Sequence, residues 1–361
     1  MSGLRADPYS SAPAASVVPE SFFETLRDTF EQAGARAGSS ERWFTIGGET
    51  VRLRFAGPAL QPLIVPALEH LAAGPADAPA LTVCFWDSAS TDTRMPAPPW
   101  PTTAYGQRGE IAGYNTERFR TVYQHGVNAL HMFDARRRTA LYWVARPGQI
   151  PYWERSFPMR TILHWWTQGR ALQLMHAGAV GGPSGGALIA GKSGSGKSTT
   201  TLACLDAGMM YAGDDYVLAR VEPEPLVHSL YGTAKLAPDN LRRFPHLRRF
   251  VSNPDNLEKE KAMIFLKDVC PAQLARGFPI RALLLPRVTG LRDTTLRCAT
   301  PIACLEALAP TTILHLPGAS HDAFGKISLL SRSVPGYILD AGTDLEQIPQ
   351  VIRRLLEEGP S

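Results

Sequence analysis

Apolar and polar positions change period several times along the chain, and each change predicts an element. Phe22, Phe23, Leu26 and Phe30 recur at helical spacing, with Ser21 as the N-cap candidate and Gly34 as the stop. Alternation in Trp43–Ile46 and Val51–Phe55 around Gly47-Gly48 predicts a β-hairpin. Leu60–Leu71 reads as a helix whose regular part Pro62 and Pro66 confine to its second half. Leu81–Trp86 is a buried strand, and the four prolines of Met95–Thr103 mark a loop. Short strands are then predicted at Ile111–Tyr114, Phe119–Val122, Leu130–Phe133 and Ala140–Val144. This succession predicts a β-rich α+β domain over residues 21–150. Residues 1–20, rich in Pro, Ser and Ala without periodicity, read as a flexible tail.

From residue 151 the pattern alternates strands with helices. Pro147–Pro158 reads as a linker, Arg160–Gln173 as a helix and Leu174–Val180 as a strand. A Gly/Ser-rich turn over 181–186 leads into the short apolar strand Ala187–Ala190. The helix Thr199–Ala207 follows, closed by Gly208, and then the strand Met209–Gly213. Ile280–Leu285 is a buried strand and Pro301–Leu308 a helix. Leu345–Glu358 is an amphipathic terminal segment that tolerates Pro349 in its first turn. The prediction is an α/β domain over 151–361.

Chemistry concentrates between the strand at 187 and the helix at 199. Gly191-Lys192-Ser193-Gly194-Ser195-Gly196-Lys197-Ser198 fits G-x-x-x-x-G-K-[ST] in full, followed by Thr199. Glycines allow the backbone to wrap a phosphate, and the following helix adds its N-terminal partial charge. Lys197 is spaced to reach the β- and γ-phosphates, and Ser198 to ligate Mg²⁺. The next strand ends on Asp214-Asp215, where adjacent carboxylates face opposite sides, one toward a metal and one toward an acceptor. The arginines of Asn240–Phe250 fit a clamp for phosphates or an acidic substrate. They fit a solvated helical face slightly better.

Composition narrows the setting. The 361 residues suggest two domains, and 37 basic against 33 acidic residues leave +4, too little to argue for nucleic acid or a membrane surface. Five cysteines without C-x-x-C spacing favour free thiols in a reducing cytoplasm over disulfides or zinc. No apolar run approaches the ~20 residues of a membrane span, and the N-terminus shows no signal-peptide core.

From His176 to Val217 the chain resembles the kinase domain of HPr kinase/phosphorylase. A His precedes the glycine-rich loop, and a short helix, Gly208, a strand and Gly213-Asp214-Asp215 follow. The resemblance implies a phosphate-loop kinase core related to phosphoenolpyruvate carboxykinases, using ATP and Mg²⁺. It implies Ser198 and Asp215 as metal ligands and Asp214 as the base with His176 beside it; Lys235, a departure from the family pattern, is a candidate contact to the transferred phosphate. The family's acidic E-x-R-G-type signature has no counterpart in Ser229–Leu236, so phosphorolysis is not expected. The whole chain is more similar to diverged proteobacterial members, some of which phosphorylate a serine of a precursor such as a lasso peptide. The expectation is a cytoplasmic kinase acting on a serine hydroxyl of a peptide or protein, with a homo-oligomer left open. The alternatives are a nucleotide-switched binding ATPase and a small-molecule kinase.

Overall fold

The computed structural model describes residues 17–314, 316–318 and 321–358. Six strands, β1 (Ser39–Ile46), β2 (Glu49–Ala56), β3 (Leu81–Asp87), β4 (Phe119–Gln124), β5 (Ala129–Asp134) and β6 (Thr139–Val144), form a mixed sheet ordered β1-β2-β3-β6-β5-β4. The hairpin turns on two residues only, since Ile46 pairs with Glu49 and Gly47 and Gly48 take φ of +61° and +82°. Positive φ at both central positions is what the primed two-residue turn needs.

A second, nine-stranded sheet contains β7 (Leu172–Met175), β8 (Gly178–Gly182), β9 (Gly185–Ile189), β10 (Met210–Gly213), β11 (Val217–Arg220) and β12 (Leu226–His228). Two short strands, β13 (Thr233–Leu236) and β14 (Ala262–Phe265), pair apart from it. The long β15 (Gly277–Val288) then runs parallel to β9, and β16 (Thr295–Ala299) and β17 (Gly336–Ala341) extend the sheet beyond it.

The helices are α1 (Val17–Ala37), α2 (Gln61–Ile64), α3 (Ser88–Thr91), α4 (Tyr152–Ser156), α5 (Arg160–Thr167), α6 (Lys197–Asp206), α7 (Pro238–Leu241), α8 (Pro301–Ile313), α9 (His321–Ser333) and α10 (Gln347–Glu358). Phe22, Phe23, Leu26 and Phe30 of α1 bury against Trp86, Leu141 and Trp143 on one face of the first sheet. On its other face a single apolar cluster runs from Phe44, Ile46 and Leu53 through Trp166 to Leu172, Leu174 and Leu218 of the second sheet. The two sheets therefore share an interior.

Several sequence expectations need correction. Residues 1–16 lie outside the described residues, but Val17–Glu20 is helical, so α1 begins before the expected cap at Ser21. It also passes through Gly34 and ends before Gly38, whose φ is +84°. Over Leu60–Leu71 the α-helical turn is the first part, with Pro62 in its opening turn where a missing N–H costs nothing; the rest is 3-10 turns. Ile111 makes an isolated bridge and no strand. The stretch read as a linker holds α4, and α5 stops at Thr167, with Gly169 at φ +71° turning the chain into β7. Leu174–Val180 is two strands, not one. β7 pairs with β11, while β8 pairs with β9 and β10. His176 sits at the break between them.

Candidate functional site

The loop from Gly191 to Gly196 connects β9 to α6, and Gly196 caps the helix at φ +108°, a conformation that glycine adopts without strain. Its packing leaves little room besides: a Cβ there would lie 3.3 Å from Val288. Lys197, 6 % exposed, donates from Nζ to the Gly191 carbonyl at 2.7 Å and to the Lys192 carbonyl at 3.3 Å. Burial lowers its pKa, against the opposing pull of Asp215 and Asp214.

A cavity of about 630 Å³ opens over this loop. Lys197, Ser198 and Thr199 line it on one side, and His176, Asp215 and Lys235 on another. That volume is within the range of small-molecule sites. Of the residues expected from sequence, Ser193, Gly194 and Gly196 also line it; Gly191, Lys192, Ser195 and Asp214 do not.

The two carboxylates at the end of β10 meet different surroundings. Asp214 is 1 % exposed and takes hydrogen bonds from Thr201 Oγ1 at 3.2 Å, from the Lys235 amide at 3.3 Å and from the Ser198 hydroxyl. Burial and the neighbouring Asp215 charge push it up to about 6. Asp215 faces the cavity, with His176 Nε2 at 3.5 Å from one oxygen and Lys235 Nζ at 3.1 Å from the other. Burial pushes this carboxyl up, but the His176 hydrogen bond and the Lys235 charge outweigh it and hold the group well below the usual carboxylate range. His176 therefore stands beside Asp215, not beside Asp214 as the sequence reading had it. The reversal follows from the break between β7 and β8, which turns His176 toward the residue after the strand. Lys235 is also fixed from behind, its ammonium 4.2 Å from the Phe157 ring centroid.

No protein-family model matches the chain, and no curated protein does. Among solved structures, the Hpr(Ser) kinase/phosphatase from Coxiella burnetii aligns over 52% of this chain and 99% of that chain, at 16% identity and a TM-score of 0.31. The relationship is distant. It assigns nothing to individual residues.

Two groups that the motifs did not single out also reach the cavity. Arg160, at the start of α5, lies 4.9 Å from the Trp153 ring and 5.7 Å from the Tyr216 ring, and Tyr216 packs at 5.1 Å against His176. Of the arginines in Asn240–Phe250 only Arg243 lines the cavity, beside Asn240; Arg242, Arg248 and Arg249 are exposed elsewhere. No motif spacing pointed to Arg160, because it reaches the site from a turn whose folding the sequence pattern missed. Among the described residues, no three His, Cys, Asp or Glu side chains converge as a metal cage. The Ser198 hydroxyl, which lines the cavity and is held from behind by Asp214, is a hard oxygen donor that fits Mg²⁺, which commonly takes one or two protein ligands and completes its shell with phosphate oxygens and water. Among the described residues no helix is long and apolar enough to cross a membrane.

Proposed function

We propose that the chain is an ATP-dependent kinase that phosphorylates a hydroxyl, a serine of a peptide or protein, in the cytoplasm. The observation that carries this reading is Asp215, flanked by His176 and Lys235, opening onto the same cavity as Lys197 and Ser198. Bound MgATP supplies the phosphoryl group and the metal charge that offsets its transfer. Lys197 would hold the β- and γ-phosphates, and the loop around Gly194 and Gly196 would wrap them. Ser198 would ligate the metal, and Asp214, which accepts from that hydroxyl, would orient it from behind. Asp215 accepts the hydroxyl proton, while His176 and Lys235 hold its carboxylate in place. This moves the base from Asp214, where it was first expected, to Asp215, and leaves Asp214 to act on the metal only through Ser198. Asp214 has the more basic carboxyl, but it is sealed from the cavity, and geometry precedes pKa in choosing a base.

The test is transfer of label from γ-labelled ATP to serine-containing peptides, run beside total ATP hydrolysis. Labelled serine is the expected product. Hydrolysis without any labelled peptide would instead indicate a nucleotide-switched ATPase, and label on a metabolite alone a small-molecule kinase.

A further inference from the structure

The cavity is lined by Arg160, Lys197, Lys235, Arg243 and Lys261 against the single carboxylate of Asp215. Lys197 belongs to the loop and Lys235 is paired with Asp215. Arg160 is different. No ion pair of Arg160 closes to contact distance among the described residues; the buried Glu154 carboxyl acts on it through charge, the Tyr216 hydroxyl shares a hydrogen bond with it, and the Trp153 and Tyr216 rings flank it. Its position is built with care. Glu154, fully buried, accepts the Met159 amide at 3.0 Å and lies 3.5 Å from the Tyr142 hydroxyl. Met159 takes φ +51°, an uncommon conformation for a side chain of its size, and α5 starts at the next residue. The strained turn thus brings one guanidinium to the cavity beside Tyr216, which in turn packs against His176.

We propose that Arg160 forms an anion subsite beside Asp215 that selects acceptors carrying an acidic residue next to the phosphorylated serine. The planar guanidinium carries five N–H donors; one goes to the Tyr216 hydroxyl, and two of the others can face a carboxylate in the cavity it lines. An acidic neighbour also offsets the surplus positive charge on this wall.

This inference deepens the kinase reading and rests on it for the word acceptor, so binding and transfer are measured separately. The probes are two capped tripeptides, Glu-Ser-Glu and Gln-Ser-Gln. Each is titrated into the full chain with Mg²⁺ and a non-hydrolysable ATP analogue, and followed by calorimetry and by tryptophan emission, Trp153 being the ring nearest Arg160. The expected result is at least about tenfold tighter binding of the acidic peptide, the order of one charge-assisted hydrogen bond. Arg160→Ala abolishes that preference and leaves the affinity for the ATP analogue as in the wild type; Arg160→Lys restores part of the preference. Equal binding of both peptides by the wild type, or an undiminished preference in Arg160→Ala, overturns the proposal. If the acidic peptide binds through Arg160 yet no serine peptide is ever labelled, the kinase reading falls and the anion subsite stands.

Discussion

Asp214 and Asp215 are neighbours in sequence with opposite electrostatic surroundings, and the difference predicts separable defects. Asp215→Asn keeps the shape and the contacts to His176 and Lys235 but cannot take a proton. Transfer should drop by about 10²–10⁴-fold, while MgATP still binds. Asp214→Asn weakens the carboxylate that accepts from Ser198 and Thr201. Its loss should be recovered in part at raised Mg²⁺, whereas that of Asp215→Asn should not. Initial rates of label transfer across a Mg²⁺ series distinguish the two, and equal rescue of both would remove the division of roles. Lys197→Ala deletes the buried ammonium at the loop and should weaken ATP binding severely with the thermal transition unchanged. Calorimetric titration giving wild-type affinity would refute the loop's assignment to the phosphates.

At the scale of elements, the hairpin of β1 and β2 offers the sharpest test. A Cβ on Gly47 would lie 2.5 Å from Leu172 Cδ1 of β7, and the residue holds φ +61°. Gly47→Ala should therefore cost about 1–3 kcal/mol, from the left-handed conformation and from overpacking at the join of the two sheets. Urea unfolding of the variant measures it, and a wild-type midpoint would contradict the packing described.

This hairpin was legible in sequence because alternation and a Gly-Gly pair are both local signals. So were the β9–loop–α6 unit and the acidic end of β10, each defined by consecutive residues. The break between β7 and β8 was not legible. Leu174–Val180 is apolar throughout, and only the choice of partner strands, a long-range matter, divides it at His176. For the same reason the placement of His176 beside Asp215, and the arrival of Arg160 through the Met159 turn, required the assembled fold. The strand at Ile111 failed for another cause. Its residues satisfy the apolar pattern by burying against Trp100 and Tyr114, without a partner strand.

Across the whole molecule, three histidines shielded from water, His131 and His164 buried and His70 partly so, set an acid limit. His131 is completely buried against Tyr142, and burial lowers it to about 3; burial likewise lowers His70 and His164 to about 4. Unfolded, each regains a pKa of about 6.5. Between that value and the folded one the unfolded chain binds more protons, so stability falls as pH drops below about 6.5. Each histidine should cost about 2 kcal/mol between pH 7 and pH 5. His131→Phe, which retains the ring on Tyr142, should remove its share of that loss; urea midpoints at the two pH values report it. An unchanged pH dependence in the variant would show that His131 does not titrate as described.

The apolar cluster shared by Phe44, Ile46, Leu172, Leu174 and Leu218 also governs how a substrate could arrive. Parting the sheets like jaws would bring that interior into water, so the site must be entered through its mouth, where Arg243, Lys261 and Val288 are exposed. A serine fixed on the face of a rigid globule could not follow that route. On the kinase reading proposed above, loose ends and extended stretches are the acceptors that fit this route, and a partner that hides its serine by folding would escape.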